Sequence, residues 1–429
     1  MSASHPPHPP TGSTSVILDA IRAAGTISRI GISNVTGLTG ATVSTAVRRL
    51  IDDGLVLEVG RAESTGGKPR VLLQLNADAY YALGVHLDHG AITYALTDLA
   101  GAPISGMTRP GAGQVTPRTV VERMSHEVTE LITQAQVDRE RVLGIGLVSP
   151  GPLTSQTGMH LTPPFMRSWE DYPLDSELSR LSGFPVLLEN DATAAAIGEY
   201  WTGGTEREGS FAALYMSTGI GAGILLSGSP HRGASGNAGE IGHISANVTG
   251  PKCWCGARGC IESYGGPAAL VTRAQERGLL PGIATGPDPA LDTVAVDQTS
   301  IAEQFATLAQ LSRSGDAAAT ELLEESIPYI AHAAHILANT LDLRLLMLSG
   351  TSFGAASHIY LPAIREALDN SFFARDNHPV EVRVSQSADT AAAIGGAALV
   401  LQSEFVPERS STLASKVRKT EDVSEHPAP

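Results

Sequence analysis

PVLLENDATAAAIGEYW, residues 185–201, joins a short apolar run to an alanine-rich segment at Asn190 and Asp191. The apolar run has the length and composition of a buried strand, and the alanine-rich segment has the composition of a helix. The stretch therefore predicts a strand that passes directly into a helix, which is the repeating unit of an α/β fold.

Strand and helix patterns on both sides of this stretch extend the same unit. Residues 81–104 alternate like strands that turn at 88–90 and again near 99–101, and 142–153 is an apolar run that ends in a Pro-Gly turn. Further strand or helix patterns occupy 116–136, 211–228, 343–354 and 380–401. Mixed strands followed by repeated alternation predict a two-lobed α/β body with a cleft between the lobes.

The length and composition limit the class of protein. A chain of 429 residues can form two or three domains, and no apolar run reaches the roughly eighteen residues that a membrane helix requires. The start of the chain lacks the basic and apolar regions of a signal peptide. We expect flexible tails at 1–14 and 403–429, reduced cysteines, a cytoplasmic location and no membrane partner.

The charge is distributed unevenly along the chain. Residues 1–75 carry seven Lys and Arg against five acidic residues, a balance of +2, so the overall net charge of -15 leaves -17 for the remainder. An acidic protein is repelled by nucleic acid, and only the first segment escapes this repulsion. If the chain binds DNA, the segment that binds is therefore 1–75.

The first segment has the pattern of a winged helix. SVILDAIRAAG and ISRIGISNVTG predict two short helices that end at Gly25 and Gly37, and Thr39 is placed to cap a third helix. The third helix has one apolar face, whereas its other face is small, hydroxylated and cationic, as a major groove requires. The candidate DNA-binding residues of this segment are Ser28, Arg29, Thr39, Thr42, Ser44, Thr45, Arg48 and Arg49.

A predicted hairpin follows the three helices. LVLEVGRAESTGGKPRVLLQLN, residues 55–76, reads as two strands around a glycine-rich tip that carries Lys68 and Arg70. Cations on such a short loop point into solvent or onto a phosphate backbone. We favour a DNA-binding domain over a small helical domain with a solvated basic loop.

All three cysteines of the chain lie within CWCGARGC, residues 253–260. Three thiols cannot all pair as disulfides, whereas three thiolates at this turn-forming spacing can occupy three corners of a tetrahedral zinc site. Gly256 and Gly259 ease the bend of the loop. Buried, reduced thiols without a metal are the alternative, which the tight spacing makes the weaker interpretation.

Five motifs together carry a family resemblance: SPGPL (149–153), LENDATAAAIGE (188–199), STGIGAGI (217–224), AGEIGHI (238–244) and CWCGARGCIES (253–263). They resemble the ROK family (repressors, open reading frames and kinases), and the amino-terminal segment resembles the family's repressor branch. The resemblance implies a sugar kinase/actin-like, ribonuclease H-like fold behind a winged helix-turn-helix at 15–76. It places the first α/β lobe at 80–190 plus 380–402 and the second, with the zinc loop and sugar site, at 191–379.

The resemblance also assigns the binding residues. It implies a closed structural zinc site formed by His243, Cys253, Cys255 and Cys260, a donor set that suits zinc and leaves no position for a catalytic water. The residues that would contact a monosaccharide are Asn190, Asp191, Glu240, His243 and Glu262. Their carboxylate and amide groups can accept and donate the hydrogen bonds that sugar hydroxyls require.

Kinases of this family hold ATP with three glycine-rich turns, and here two of the three depart from the pattern. The first, at Asp88 and Gly90, lacks the second glycine and the threonine, and the third, at 349–351, keeps a single glycine. The second turn, with Thr218, Gly219 and Gly221, is retained. Thr193 stands where many members have asparagine. ATP and Mg²⁺ are therefore not expected as cofactors, and Asp191 would be catalytic only in an active kinase.

We interpret the sequence as a sugar-responsive transcriptional repressor that binds operator DNA as a homodimer or homotetramer. One alternative is an ATP-dependent hexose or N-acetylhexosamine kinase with a fused DNA-binding domain. Another is a repressor that responds to a protein partner, which the intact Glu240, His243 and Glu262 weigh against.

Overall fold

The computed structural model describes residues 10, 12–61, 70–113, 115–153, 169, 172–202, 210–281 and 298–405, with the backbone alone for 298–300. The predicted tails up to residue 9 and beyond 405, and the tip of the hairpin at 62–69 with Lys68, lie outside these residues.

The amino-terminal segment forms three helices and a three-stranded sheet. Its elements are α1 (Ser13–Ala24), β1 (Ile27–Ser28), α2 (Arg29–Thr36), α3 (Gly40–Asp52), β2 (Val56–Arg61) and β3 (Val71–Leu75). The sheet order is β1-β3-β2, and all pairs are antiparallel. Helices α1 and α2 end at Gly25 and Gly37, as their positive φ angles of 66° and 71° permit. The predicted tail of 1–14 is too long, because α1 begins at Ser13 and Thr14 is already buried.

The first lobe is a five-stranded sheet in the order β6-β5-β4-β7-β8. Its elements are β4 (Tyr81–Leu87), β5 (Ala91–Asp98), β6 (Pro103–Pro110), α4 (Pro117–Gln134), β7 (Val142–Ser149), α5 (Leu174–Ser182) and β8 (Val186–Asn190). Strands β4, β7 and β8 run parallel, and β5 and β6 are antiparallel to their neighbours. The apolar side chains of β4 share a core with those of α4 and α5, which cover one face of the sheet.

The second lobe contains another five-stranded sheet, in the order β11-β10-β9-β12-β13. After α6 (Asp191–Trp201) come β9 (Phe211–Met216), β10 (Ile220–Leu226), β11 (Ser229–Pro230), α7 (Ile261–Gly265), α8 (Pro267–Glu276), α9 (Gln298–Arg313), α10 (Ala317–Glu324), α11 (Ile327–Leu341), β12 (Leu345–Ser349), α12 (Thr351–Ser371) and β13 (Glu381–Val384). Because β13 pairs with β12, it belongs to the second lobe. The sequence analysis places 380–402 in the first lobe, and this boundary is therefore too early, because β13 still belongs to the second lobe.

Two helices lie between the sheets. Helix α6 packs against β9 and β10 and against the last helix, α13 (Ala391–Phe405), which packs against β4 and β7. The close approach of α13 to β7 depends on glycine, because a β-carbon at Gly146 of β7 would lie 1.8 Å from the carbonyl oxygen of Gly396 of α13. Helix α13 continues to Phe405, so the carboxyl-terminal tail cannot begin at 403 as predicted.

The winged segment and the body share one apolar core. Ile17, Val47 and Leu50 of the three-helix segment belong to the same buried cluster as Ile197 and Trp201 of α6 and Leu401 of α13. Among the described residues, none of the helices combines the length and the apolar character that crossing a bilayer requires.

Candidate functional site

A cavity of about 330 Å³ lies between the two lobes. Its walls come from the turn after β7, the start of α6, the β9–β10 turn, the segment 238–243, the cysteine loop and helices α7 to α9. The residues predicted to contact a sugar all line it: Asn190, Asp191, Glu240, His243 and Glu262. A volume of this order can hold a small organic ligand.

Asn190 and Asp191 lie where β8 passes into α6. The side-chain oxygen of Asn190 caps the helix by accepting a hydrogen bond from the backbone N–H of Thr193 at 3.1 Å. Asp191 is the first residue of the helix, and its carboxyl group accepts from the N–H of Ala192 at 2.8 Å. Burial raises the pKa of Asp191 to about 8, and the nearby carboxyl groups of Asp88 and Glu240 contribute to the increase. At neutral pH, Asp191 is mostly protonated.

Glu240 reaches the cleft from the segment 238–244. The segment packs directly on β10, since Gly239 has a φ of +98° and a β-carbon there would lie 1.9 Å from the carbonyl oxygen of Ala222. Gly151 of the first lobe faces Glu240, and a β-carbon at Gly151 would lie 2.8 Å from Glu240 Oε1. The two lobes therefore meet at this carboxylate, whose pKa is raised by burial.

Glu262 is held by two hydrogen bonds from different parts of the second lobe. Its Oε2 accepts from the backbone N–H of Ile220 at 2.9 Å, and its Oε1 accepts from Nε1 of Trp254 at 3.3 Å. Trp254 also lines the cleft, and its ring lies perpendicular to that of His243 at a centroid distance of 4.7 Å. These contacts orient the carboxylate before any ligand binds.

The four predicted metal ligands form a compact cluster. The donor atoms of His243, Cys253, Cys255 and Cys260 all lie within 4.8 Å of one another. The Sγ atoms of Cys255 and Cys260 are 3.7 Å apart, and His243 Nδ1 lies 3.5 Å from Cys253 Sγ. Zinc–sulfur bonds of about 2.3 Å in a tetrahedron place the sulfurs about 3.8 Å apart, so the donor set and its spacing fit zinc. With Nδ1 directed at the cysteines, Nε2 of His243 is left for other partners.

The three predicted nucleotide turns lie beside the cleft or in its wall. Thr218, Gly219 and Gly221 line the cavity, whereas Asp88 and Gly90 lie in the turn between β4 and β5. Asp88 is buried, its carboxyl group accepts from the N–H of His89 at 2.6 Å, and burial raises its pKa to about 6. The third turn approaches the second through a hydroxyl contact of 3.2 Å between Ser217 and Thr351.

Helix α3 has the two faces that its sequence predicts. Val43, Val47 and Leu50 are buried. The hydroxyl of Thr39 caps the helix by accepting from the N–H of Thr42 at 3.3 Å. The opposite face is open to solvent at Ser44, Thr45, Arg48 and Arg49, and Thr42 is half-buried.

The other predicted DNA-binding residues already have structural partners or lie apart from α3. Ser28 caps α2 by accepting from the N–H of Gly31 at 3.1 Å, and Arg29 pairs with Glu58 of β2 at 2.9 Å. Arg29 could reach a phosphate only by exchanging this carboxylate for it. Arg70 is exposed before β3.

Several residues of these sites were not identified from the sequence. Lys252, Trp254 and Tyr215 line the cleft. The sequence does contain a signal for Trp254, which is a large aromatic residue between the two candidate metal ligands Cys253 and Cys255. Arg22 of α1 donates to the carbonyl oxygen of Trp201 at 2.7 Å, and its guanidinium lies 4.3 Å from the indole centroid. No local pattern reveals this contact.

Comparisons with known proteins identify both parts of the chain. A family model described as the ROK family matches residues 83–403, and one described as a winged helix-turn-helix DNA-binding domain matches 15–56. The xylose repressor of Bacillus subtilis is 33% identical over 265 residues, which is 61% of this chain and 67% of that protein. The DNA-binding transcriptional dual regulator NagC of Escherichia coli is 27% identical over 88% of this chain and 89% of its own length.

Solved structures agree with this assignment. A ROK family transcriptional regulator, described as a homologue of the E. coli MLC protein, superposes with a TM-score of 0.69 at 25% identity and covers 91% of this chain and 96% of its own. A ROK hexokinase from Thermus thermophilus superposes with a TM-score of 0.55 at 26% identity, and covers 74% of this chain and 97% of its own. The regulator thus matches nearly the whole chain, whereas the hexokinase matches a smaller part.

Proposed function

The chain belongs to the ROK family, and we propose that it is a transcriptional repressor whose affinity for operator DNA is controlled by a sugar bound in the interlobe cleft. Relatives of this chain are named as repressors that take their names from xylose or N-acetylglucosamine. The observation that carries the proposal is that one helix, α6, starts in the polar cleft at Asp191 and ends against the DNA-binding segment at Trp201. Operator binding places the protein in the cytoplasm.

The effector is bound by Asn190, Asp191, Glu240, His243 and Glu262. These side chains supply acceptors, an amide and, for protonated Asp191, a hydroxyl donor, which together match neighbouring sugar hydroxyls. The groups come from both lobes, so a sugar that contacts Asn190 and Glu240 draws the lobes together.

The cysteine cluster holds a structural zinc ion. His243, Cys253, Cys255 and Cys260 supply four protein ligands, and a closed set of this kind stabilises a loop and has no position for a reacting water. The loop carries Trp254 and lies next to Glu262. The metal therefore contributes the rigidity of one wall of the sugar site.

The signal travels through the contacts of α6. The helix has 11 residues, which corresponds to about 16 Å, and its far end shares the apolar core of the winged segment. Closure of the two lobes around the cleft at Asp191 thus shifts a surface that is continuous with α1. The protein has one arrangement that binds DNA well and another that binds DNA poorly. The sugar acts as an inducer because it has the higher affinity for the second arrangement.

Recognition of the operator requires two copies of the chain. One α3 reads only a few base pairs, and paired recognition helices read two half-sites on successive turns of the duplex. We therefore propose a homodimer, or a homotetramer built from it, with Ser44, Thr45, Arg48 and Arg49 on the groove-facing side. Lys68 and Arg70 of the wing would contact the backbone or the minor groove.

A sugar kinase is the second candidate, because Asp191 and the Thr218–Gly219 turn are retained in the cleft. One feature argues against it. The first and third phosphate turns lack glycines that let the backbone approach phosphate.

The experiment that tests the proposal is operator release by a panel of sugars. A duplex selected from random sequence by the full-length protein would be titrated in the presence of D-xylose, D-glucose, N-acetyl-D-glucosamine or their phosphates, each with and without Mg-ATP. We expect at least one sugar to weaken operator binding about tenfold or more, independently of ATP. Consumption of ATP with phosphorylation of that sugar would support the kinase instead.

The variant Glu240→Ala separates the two activities. We expect it to lose the response to sugar while the sugar-free protein still binds the duplex, because Glu240 lies in the cleft and far along the chain from α3. Glu366→Ala, an exposed acidic position on α12, is the matched control and should respond like the original protein. If Glu240→Ala also abolished DNA binding in the absence of sugar, the proposed division of roles would be wrong.

A further inference from the structure

Trp254 is placed unlike the other two tryptophans of the chain. Trp169 and Trp201 are 1% and 5% exposed, whereas Trp254 is 41% exposed and lines the cleft. A large aromatic side chain left accessible in a cavity gains by packing against a ligand.

The surroundings of Trp254 hold its ring in one orientation. Its backbone lies between Cys253 and Cys255, its ring lies perpendicular to His243 at 4.7 Å, and Nε1 donates to Glu262 at 3.3 Å. Glu262 is in turn held by the N–H of Ile220 at 2.9 Å. The indole is thus ordered before a ligand arrives, and little conformational entropy is lost when a ligand packs against it.

The charge of the cleft restricts the ligand further. The described residues that line it include the carboxyl groups of Glu240 and Glu262, besides the protonated Asp191, and one ammonium group, of the exposed Lys252. A phosphate ester carries a charge of about -1.5 to -2 at neutral pH. Bringing it beside these carboxyl groups is unfavourable in a partly desolvated site, so the lining favours an uncharged ligand.

We propose that the effector is an uncharged, unphosphorylated sugar whose apolar C–H face packs on the indole of Trp254, which makes Trp254 a specificity-determining residue of the site. This inference rests on the proposed function, since it names the class of sugar that the cleft takes. The ring hydroxyls bond to the polar wall while the C–H face covers the aromatic surface. A sugar with an axial hydroxyl or a charged group on that face binds poorly, because the face of the indole offers no hydrogen-bond partner to either group.

The test measures binding to the full-length, metal-loaded protein by calorimetry and by tryptophan emission. The probes are D-xylose, D-glucose and N-acetyl-D-glucosamine, together with D-glucose 6-phosphate and N-acetyl-D-glucosamine 6-phosphate. We expect an uncharged sugar to bind at least about tenfold more tightly than its 6-phosphate and to change the emission. Tighter binding of a phosphate would overturn the inference about charge.

Two substitutions distinguish a packing surface from a residue that only orients Glu262. Trp254→Phe keeps an aromatic face but lacks Nε1, and Trp254→Ala lacks both. We expect Trp254→Ala to weaken sugar binding about tenfold or more and Trp254→Phe to weaken it about threefold or less, with the emission change lost in both. Equal losses in the two variants would mean that the hydrogen bond to Glu262 is what matters, and the packing role would be wrong.

Phe373→Ala serves as the control, because Phe373 is 88% exposed and lies outside the cleft. It should bind every sugar like the original protein. If no sugar of the panel binds the original protein, the proposed function itself fails. If a sugar binds and releases the operator but Trp254→Ala binds it equally well, only the present inference fails.

Discussion

At the scale of single residues, Asp191 shows how surroundings decide the role of a side chain. A carboxylate at the start of a helix is normally favoured by the helix dipole and by N–H donors. Here burial, with the carboxyl groups of Asp88 and Glu240 nearby, outweighs those effects and raises the pKa of Asp191 to about 8. The protonated group can donate a hydrogen bond to a sugar oxygen.

This pKa predicts how Asp191→Asn changes stability with pH. Because the folded pKa of about 8 lies above the ordinary value of 3.8, the favourable contribution of the protonated carboxyl group is complete below pH 3.8 and is lost as the pH rises to about 8. Asparagine stays neutral throughout. The Tm of Asp191→Asn should therefore rise relative to that of the original protein between these values, by about 2–4 °C or more at the upper end.

Thermal unfolding followed across this pH range checks the prediction. Asp376→Asn, at an exposed position after α12, is the control for the loss of one carboxyl group. Parallel curves for Asp191→Asn and the original protein would show that the carboxyl group is ionised at neutral pH, and that it only accepts hydrogen bonds from a ligand.

At the scale of secondary structure, α3 combines a packing face and an exposed face that carries two arginines in 13 residues. Its buried valines and leucine hold it against α1 and α2, so the exposed side chains are presented on a fixed frame. Arg48 and Arg49 differ in availability, because Arg49 lies 3.7 Å from Asp53. Arg48 is thus the better candidate for a strong DNA contact.

Arg48→Ala should weaken binding to the selected duplex about tenfold, and if Arg48 contacts a phosphate it should lower the dependence of log K on log salt by about one unit. Sugar affinity should not change, since the cleft lies in the body. The measurement is fluorescence anisotropy at several salt concentrations. Arg118→Ala is the control, because its side chain is 82% exposed on α4. A similar loss in Arg118→Ala would mean that the effect is one of overall charge.

We propose that a zinc ion bound by His243 and the three cysteines holds the cysteine loop together. Cys255→Ser should lower the bound zinc from about one ion per chain to near zero and weaken sugar binding, because the loop positions Trp254 and Glu262. Elemental analysis and calorimetry measure the two effects. Ala257→Ser changes an exposed position of the same loop and should leave both unchanged. Full sugar affinity in a zinc-free Cys255→Ser protein would contradict this role of the metal.

At the scale of the whole molecule, the DNA-binding segment is fused to the body and not simply tethered to it. Arg22 donates to the carbonyl oxygen of Trp201 at 2.7 Å, pairs with Asp19 at 2.9 Å and lies 4.3 Å from the indole centroid of Trp201. These contacts occur at the end of the helix that begins in the cleft. We infer that these contacts link the orientation of the winged segment to the state of the proposed sugar site.

Arg22→Gln should reduce this linkage. We expect the variant to bind sugar as the original protein does, but the ratio of operator affinities without and with sugar should fall about fivefold or more, which is the usual size of an allosteric coupling. Calorimetry and operator titration provide the two readouts, and Arg118→Gln is the control. An unchanged ratio would show that the signal reaches the DNA-binding segment by another route, such as the subunit interface.

The features that the sequence determined by itself are those that depend on neighbouring residues. Gly25 and Gly37 end helices, Thr39 caps α3, and the spacing of Val43, Val47 and Leu50 sets its buried face, because each effect acts within about one helical turn. The cysteine spacing likewise favours a metal-binding loop by itself.

Only the tertiary structure decided which distant groups meet. Gly151 faces Glu240, Trp254 donates to Glu262 from the opposite end of the cysteine loop, and Arg22 contacts Trp201 at a separation of 179 residues. The tertiary structure also decided that α1 starts at Ser13, that β13 belongs to the second lobe and that α13 ends at Phe405. Such contacts follow from how two sheets, two central helices and a winged segment share their cores, and that packing is a property of the folded chain and not of any local pattern.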